Sequence, residues 1–355
     1  MTLIAHSDLP TFARLAAEGQ EILHPDRAKN QDIRELHVGV YNMMPDAALE
    51  ATERQFLRLI GSSNRIVQFY VHLFSPEHIV RSGKAKQHVA MYYEKFSDFK
   101  KHGLDAMIIT GANPKLDDLT KEVFWDEFVD MLDWCQESVT SVLCSCFATH
   151  AVFKYLYNED RIKLPQKCWG VYSHTLKNRS HPVVSNMNTK FDAPHSHVYG
   201  ITSTQAEKHL VKVLAHSDSA GLHLAVTRDF RFVFLQGHPE YDTFSLLKEY
   251  KREVENYFLG TIAQYPAIPE NYFSDGAIEL LNSYTDSLNF AKQNSKSQPK
   301  FPEEQLSMYL HNTWVDTGKS IFNNWLGLVY KVTHKERQIR LMDHLDVDNP
   351  LDCDF

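Results

Sequence analysis

Cys146 closes the apolar run Thr140-Ser141-Val142-Leu143-Cys144-Ser145 and opens directly into Phe147-Ala148. Far downstream a second apolar run, Arg231-Phe232-Val233-Phe234-Leu235-Gln236, ends in Gly237-His238-Pro239-Glu240. A thiol, an imidazole and a carboxylate, each placed just past a strand, are the parts of a nucleophilic acyl-transfer site. Such chemistry needs a nucleophile that is exposed and rigidly aimed, and a sharp strand-to-helix turn supplies both. Crowding there demands small residues on either side; Cys144 and Ala148 meet that demand. A helix starting at Phe147 turns its positive end toward the sulfur and stabilises negative charge there. The backbone N–H of Phe147 then points at the developing oxyanion.

His238 is the matching base, and Glu240 is near enough in sequence to orient its ring and stabilise its protonated form. Gly237 permits tight backbone geometry, and Pro239 stiffens the turn. A lone Cys in an apolar run is most often packing, and a lone His in a turn most often structural. Cys144 fits that plainer role. Three groups at strand ends shift the balance toward chemistry. His195 and His197, in Pro194-His195-Ser196-His197, are second candidates for a base, or metal ligands, or ordinary polar loop residues. A metal set of Cys144, Cys146 and His150 lacks a fourth ligand and a paired knuckle.

The elements that must position these groups alternate. Strands are expected over Glu35 to Met44, Ile66 to Phe74, Leu104 to Ile109 and the run before Cys146. Helices are expected over Glu50 to Ile60, Glu122 to Gln136, Phe147 to Tyr157, from Asp242 (as N-cap) to Phe258, and Ile321 to Val332. This order predicts an α/β fold, a mostly parallel sheet covered by helices on both faces. Between Lys167 and Thr227, short strands and turns predict a small antiparallel extension. The boundaries read as an N-terminal extension (1–34) and a catalytic α/β domain (35–281). A polar, mobile surface insertion (282–305), a C-terminal helical segment on the same domain (306–333) and a charged, disordered tail (334–355) follow.

The chain has 355 residues, 43% hydrophobic and 23% charged, with a formal net charge of −8. That balance has no basic footprint and disfavours nucleic acid. No stretch approaches the roughly 20 apolar residues of a membrane span. The N-terminus lacks a basic, then apolar, leader pattern. Five cysteines without a scaffold pattern predict reduced thiols and a cytoplasmic setting.

The motifs resemble the homoserine O-acyltransferases of methionine biosynthesis, the homoserine O-succinyltransferase family, whose fold is similar to class I glutamine amidotransferases. The likeness runs roughly from Asp32 to Thr333. It includes Asn42-Met43-Met44-Pro45, Gln55-Phe56-Leu57-Arg58-Leu59, Ile109-Thr110-Gly111-Ala112, Gly170-Val171-Tyr172, Gly237-His238-Pro239-Glu240-Tyr241-Asp242 and Asn324-Trp325-Leu326. The resemblance implies that Cys146 accepts the acyl group, with His238 as base and Glu240 as its partner. It implies Arg252 as the grip on the acceptor's carboxylate, a pairing suited to a bidentate guanidinium. It places Lys167 and Ser196 at further substrate contacts, with backbone N–H groups near Phe147 and Gly111-Ala112 at the oxyanion. It implies no bound cofactor or metal, acyl-CoA as co-substrate, a small hydroxy amino acid as acceptor, and a homodimer.

The sequence departs from the family at Phe147-Ala148-Thr149-His150 and at Lys115, where family members carry Gly (succinyl transfer) or Glu (acetyl transfer). A lysine could pair with the distal carboxylate of a succinyl group. The reading is ping-pong transfer from acyl-CoA, succinyl favoured, to L-homoserine. Serine as acceptor, glutamine hydrolysis with the same residues, and a silent binding protein stand as alternatives.

Overall fold

A computed structural model describes residues 2–30, 33–63 and 67–354. Its strands are β1 (Thr2–Ile4), β2 (Ile22–Leu23), β3 (Glu35–Tyr41), β4 (Gln68–Phe74), β5 (Ala106–Ile109), β6 (Ser141–Ser145), β7 (Ile162–Leu176), β8 (Lys190–Gly200), β9 (Lys212–Ser217), β10 (Gly221–Val226) and β11 (Phe232–Leu235). They join one sheet in the order β2-β1-β4-β3-β5-β6-β11-β10-β9-β7-β8. From β2 to β11 every pairing is parallel, and from β11 to β8 every pairing is antiparallel. The α/β class, with its antiparallel extension between Lys167 and Thr227, is therefore observed.

The parallel strands are apolar on both faces because helices cover both. In β6, Leu143 joins a core with Val38, Phe56, Trp325 and Leu326, whereas its neighbours Val142 and Cys144 join a second core with Met107, Phe128 and Ala151. This alternation is the period of two expected of a strand. Cys144, fully buried, is the packing residue its position implied. A third core, including Tyr250, Leu281, Leu288 and Trp314, forms between the later helices.

Helix ends differ from expectation by a few residues, as at Leu49–Ser62, Trp125–Ser138 and Val315–Val332; the helix Phe147–Tyr157 falls where expected. The strand expected from Ile66 begins at Gln68, with Ile66 outside the described residues. Asp242 does not cap the helix Ser245–Leu259, whose N-cap is Phe244. Instead the Asp242 carboxylate accepts from Arg54 and Arg58.

Two stretches read as loose are ordered. Most of 282–305 is helical, in Asp275–Gln293 and Glu303–Ser307. Polar residues cover the outer face of the longer helix, while Ala277, Leu281, Tyr284, Leu288 and Ala291 pack inward. A narrow apolar stripe in a polar helix is easy to overlook by composition alone. The tail after Thr333 is anchored through buried Leu341 and through Thr140 Oγ1, which donates to the Arg340 carbonyl at 2.5 Å. Residues before Glu35 also contribute β1 and β2 to the sheet, beside β4.

Candidate active site

Strand register brings the chemistry together. Ile109 of β5 pairs with Cys144 of β6, and Leu235 of β11 pairs with Ser145 of β6. All three strands thus end at one level, and their next residues, Thr110-Gly111, Cys146 and Gln236-Gly237-His238, meet at the carboxyl edge of the sheet. That edge is where open parallel sheets place ligands.

Cys146 sits at φ 49°, ψ −104° between β6 and the helix Phe147–Tyr157. A positive φ is strained for a residue with a side chain, on the order of 1–3 kcal/mol. The structure holds it there: Cys146 N–H donates to the Leu235 carbonyl at 2.6 Å. The expectation of an exposed thiol is not met, since Cys146 is buried where the strand passes into the helix. A Cβ on Gly111 would lie 3.9 Å from that of Cys146. The loop after β5 therefore faces the thiol, and Phe147 starts the helix beside it. Ala112 follows Gly111 in that loop, half-buried.

His238 is buried against Cys146, and its Nδ1–H donates to Glu240 Oε1 at 2.7 Å. Burial opposes a charged imidazole here, but the negative charges of Glu240 and the Cys146 sulfur outweigh it and hold His238 well above the ordinary histidine range. The ring also stacks on Tyr241, centroids 4.4 Å apart. Its backbone is fixed from two sides: His238 N–H donates to the Pro194 carbonyl at 2.7 Å, and Arg58 Nη2 donates to the Glu240 carbonyl at 2.8 Å. A buried carboxylate, an imidazole it orients and a thiol on a strained turn can carry out covalent acyl transfer.

Lys167 and Ser196 come together through Glu249, a residue the sequence reading missed. Its carboxylate accepts from Ser196 Oγ at 2.6 Å, Trp169 Nε1 at 3.0 Å and Tyr241 Oη at 2.7 Å, with Lys167 Nζ at 3.9 Å. Burial holds the Lys167 amine below the ordinary lysine range, although Glu249 pulls the other way. Glu249 links these residues to the ring stacked on His238. The signal that could have found it is its place three residues before Arg252 on one helix face.

Arg252 lies on that helix with an exposed side chain, 3.5 Å from Glu253. Lys115 is exposed as well, and among the described residues its ammonium has no ion pair. Its backbone is ordered, since the N–H groups of Lys115 and Leu116 donate to Glu122 Oε1 at 2.5 and 2.6 Å. Gln236 is a second omission. His150 Nε2–H donates to Gln236 Oε1 at 2.8 Å, which turns the Gln236 amide toward Cys146 Sγ at 3.8 Å. His150, one of the departures from the family pattern, is thus explained by its amide partner. His195 and His197, the second candidates for a base, are buried among other histidines.

The sequence profile of homoserine O-succinyltransferase matches residues 2–335. The chain is 53% identical over 352 residues to homoserine O-succinyltransferase of Methylobacter tundripaludum, covering 99% of both. It is 50% identical over the same length to those of Methylococcus capsulatus and Allochromatium vinosum, again covering 99% of both chains. Among solved structures, a glutamine amidotransferase from Thermotoga maritima overlaps 83% of this chain and 98% of its own at TM-score 0.42 and 11% identity. The chain is an enzyme of the acyltransferase class. It belongs to the homoserine O-succinyltransferase family.

No helix among the described residues is long and apolar enough to cross a membrane.

Proposed function

We propose that this enzyme is a homoserine O-succinyltransferase that works by ping-pong transfer through an acyl-cysteine, as its relatives' names suggest for the donor and acceptor. The observation that carries the mechanism is the seating of Cys146 on a strained strand-to-helix turn directly against the His238–Glu240 pair.

In this reading the Cys146 sulfur, ionised by proton transfer to His238, attacks the thioester carbonyl of succinyl-CoA. Backbone N–H groups of Phe147 and the Gly111-Ala112 loop hold the oxyanion. The tetrahedral intermediate collapses, its C–S bond to CoA breaks, and His238 protonates the departing thiolate. L-homoserine then binds with its carboxylate on Arg252 and its polar groups near Lys167, Ser196 and Glu249. His238 takes the hydroxyl proton as the oxygen attacks the acyl-cysteine, and returning that proton to the sulfur closes the cycle. Glu240 keeps the imidazole oriented and supports its charge throughout. Lys115, on the same loop as Gly111, supplies a cation for the distal carboxylate of the succinyl group. The reaction as written needs no bound cofactor, and by resemblance the enzyme works as a homodimer.

The test is Cys146→Ala with release of CoA thiol followed over acetyl- and succinyl-CoA against homoserine and serine. Wild type should release CoA fastest with succinyl-CoA and homoserine, and mass spectrometry of enzyme with donor alone should find the acyl group on Cys146. Transfer at near wild-type rate by the variant, or an acyl group never seen on Cys146, refutes the scheme.

A further inference from the structure

Behind the His238 turn, β7, β8 and β10 contribute a stack of buried histidines that acyl transfer does not use. His174, His195 and His223 each offer a ring nitrogen within 4.8 Å of the others. His174 and His195 lie nearly parallel, centroids 5.0 Å apart, with their Nε2 atoms 3.1 Å apart.

The protons of this stack can be placed from carbonyl partners, which only accept. His174 Nδ1 lies 2.9 Å from the Tyr172 carbonyl, so it carries a proton and leaves Nε2 bare in the neutral ring. His197 Nδ1 lies 2.7 Å from the Tyr199 carbonyl, so its Nε2 is also bare. His195 Nδ1, 3.0 Å from that nitrogen, must donate to it. His195 Nε2 is then bare too. Two lone pairs therefore face each other across 3.1 Å in the interior.

His223 adds a third nitrogen. It is fully buried, and among the described residues neither of its ring nitrogens has a hydrogen-bond partner. Buried polar groups left unpaired are rare and costly. A Cβ placed on Gly237 would meet His195 Nε2 at 2.7 Å and His223 Nδ1 at 2.8 Å, so both nitrogens lie against the bare face of this glycine.

We infer that His174, His195 and His223 form a site for a divalent transition-metal ion of the zinc type, which braces the Gly237–Glu240 turn from behind. An N–H given to a backbone carbonyl, with the opposite nitrogen turned inward, is the usual arrangement of a metal-bound histidine. Two imidazole nitrogens on one tetrahedral zinc lie about 3.3 Å apart, given bonds of about 2.0–2.1 Å, close to the 3.1 Å between His174 and His195 Nε2. Imidazole sets suit zinc, copper or nickel. A single proton shared by His174 and His195 would also separate the lone pairs, but it would leave both nitrogens of His223 without a partner, where a metal satisfies one of them. The shared proton would also bury an imidazolium to which, among the described residues, no carboxylate is hydrogen-bonded. The neighbouring trio of Cys168, His195 and His197 is a poorer set. Its two imidazoles already share a proton, and burial pushes the Cys168 thiol up to about 11.

The test is metal content by mass spectrometry of protein made in zinc-supplemented medium and purified without chelator, followed by exchange to Co2+ for visible spectroscopy. One zinc per chain is expected, with a nitrogen-ligated Co2+ spectrum free of a thiolate charge-transfer band. His223→Phe and His174→Phe should each weaken zinc binding by more than the roughly 10- to 100-fold that loss of a partner hydrogen-bonded to a ligand costs. Because either variant could misfold, 15N spectra of the wild-type imidazoles with and without zinc give an independent reading: zinc should move the signals of His174, His195 and His223. The inference is overturned if zinc is absent, or if it is lost in Cys146→Ala but kept in His223→Phe. It is also overturned if zinc-free protein shows a proton shared by His174 and His195 that zinc does not displace.

Discussion

Replacing Glu240 with Gln isolates the charge behind His238. Glutamine retains a carbonyl oxygen where Glu240 Oε1 accepts from His238 Nδ1 at 2.7 Å, so ring orientation can survive while the negative charge is lost. A hydrogen bond to a charged group contributes about 1.5–3 kcal/mol, which is roughly 10- to 150-fold in kcat/KM. There is a second effect. Among the described residues Glu240 Oε2 is buried without a partner, so the amide would place an unsatisfied donor there, costing about 1–3 kcal/mol of stability. Assays should therefore run well below the variant's melting temperature. Measured as CoA release across pH, the limb belonging to His238 should move to lower pH, because the Glu240 charge that chiefly opposes burial has been removed. Stability carries the same sign. A raised His238 contributes stability that is complete below the ordinary value of 6.5 and is lost as pH rises through the folded value. The melting difference between wild type and variant should thus shrink at alkaline pH. An unchanged kcat/KM and an unmoved pH profile would refute the assigned role of Glu240.

Other perturbations probe the surroundings. Gly237→Ala should destabilise the protein by about 1–3 kcal/mol, since its Cβ would lie under 3 Å from His195, His223 and the Pro194 carbonyl; chemical denaturation measures this, and a neutral result would mean the turn is looser than described. Lys115→Glu should lower preference for succinyl-CoA over acetyl-CoA, and Lys115→Gly, the residue that succinyl-transferring members carry, should lower it less; donor ratios unchanged from wild type in both variants would remove Lys115 from donor choice. Arg252→Met should raise the KM for homoserine by about 10-fold or more, taking the 1.5–3 kcal/mol of a charged hydrogen bond, with little change in acyl-cysteine formation from the donor alone. A slowed first half-reaction would instead place Arg252 on the donor side.

Much of this was legible one residue at a time. The small residues around Cys146, and the Gly-His-Pro-Glu turn after an apolar run, mark strand ends because backbone geometry there tolerates little else. The alternation of apolar runs and helical spacing was enough for a parallel sheet, since local periodicity reports directly which face is buried. The helix Asp275–Gln293 was less visible, because only five inward residues among many polar ones reveal its stripe.

What the tertiary structure alone decided is what depends on register and approach. Pairing of β5, β6 and β11 sets Gly111, Cys146 and His238 at one level. Glu249, an ordinary acidic residue on a charged helix, becomes a hub only when β7, β8 and that helix converge on it. The same convergence of strands turns His174, His195 and His223, scattered along the sequence, into three nitrogens around one space. Side-chain type and spacing constrain what a residue can do; which partners it meets is set by contacts between elements far apart in the chain, and sequence order does not encode those distances.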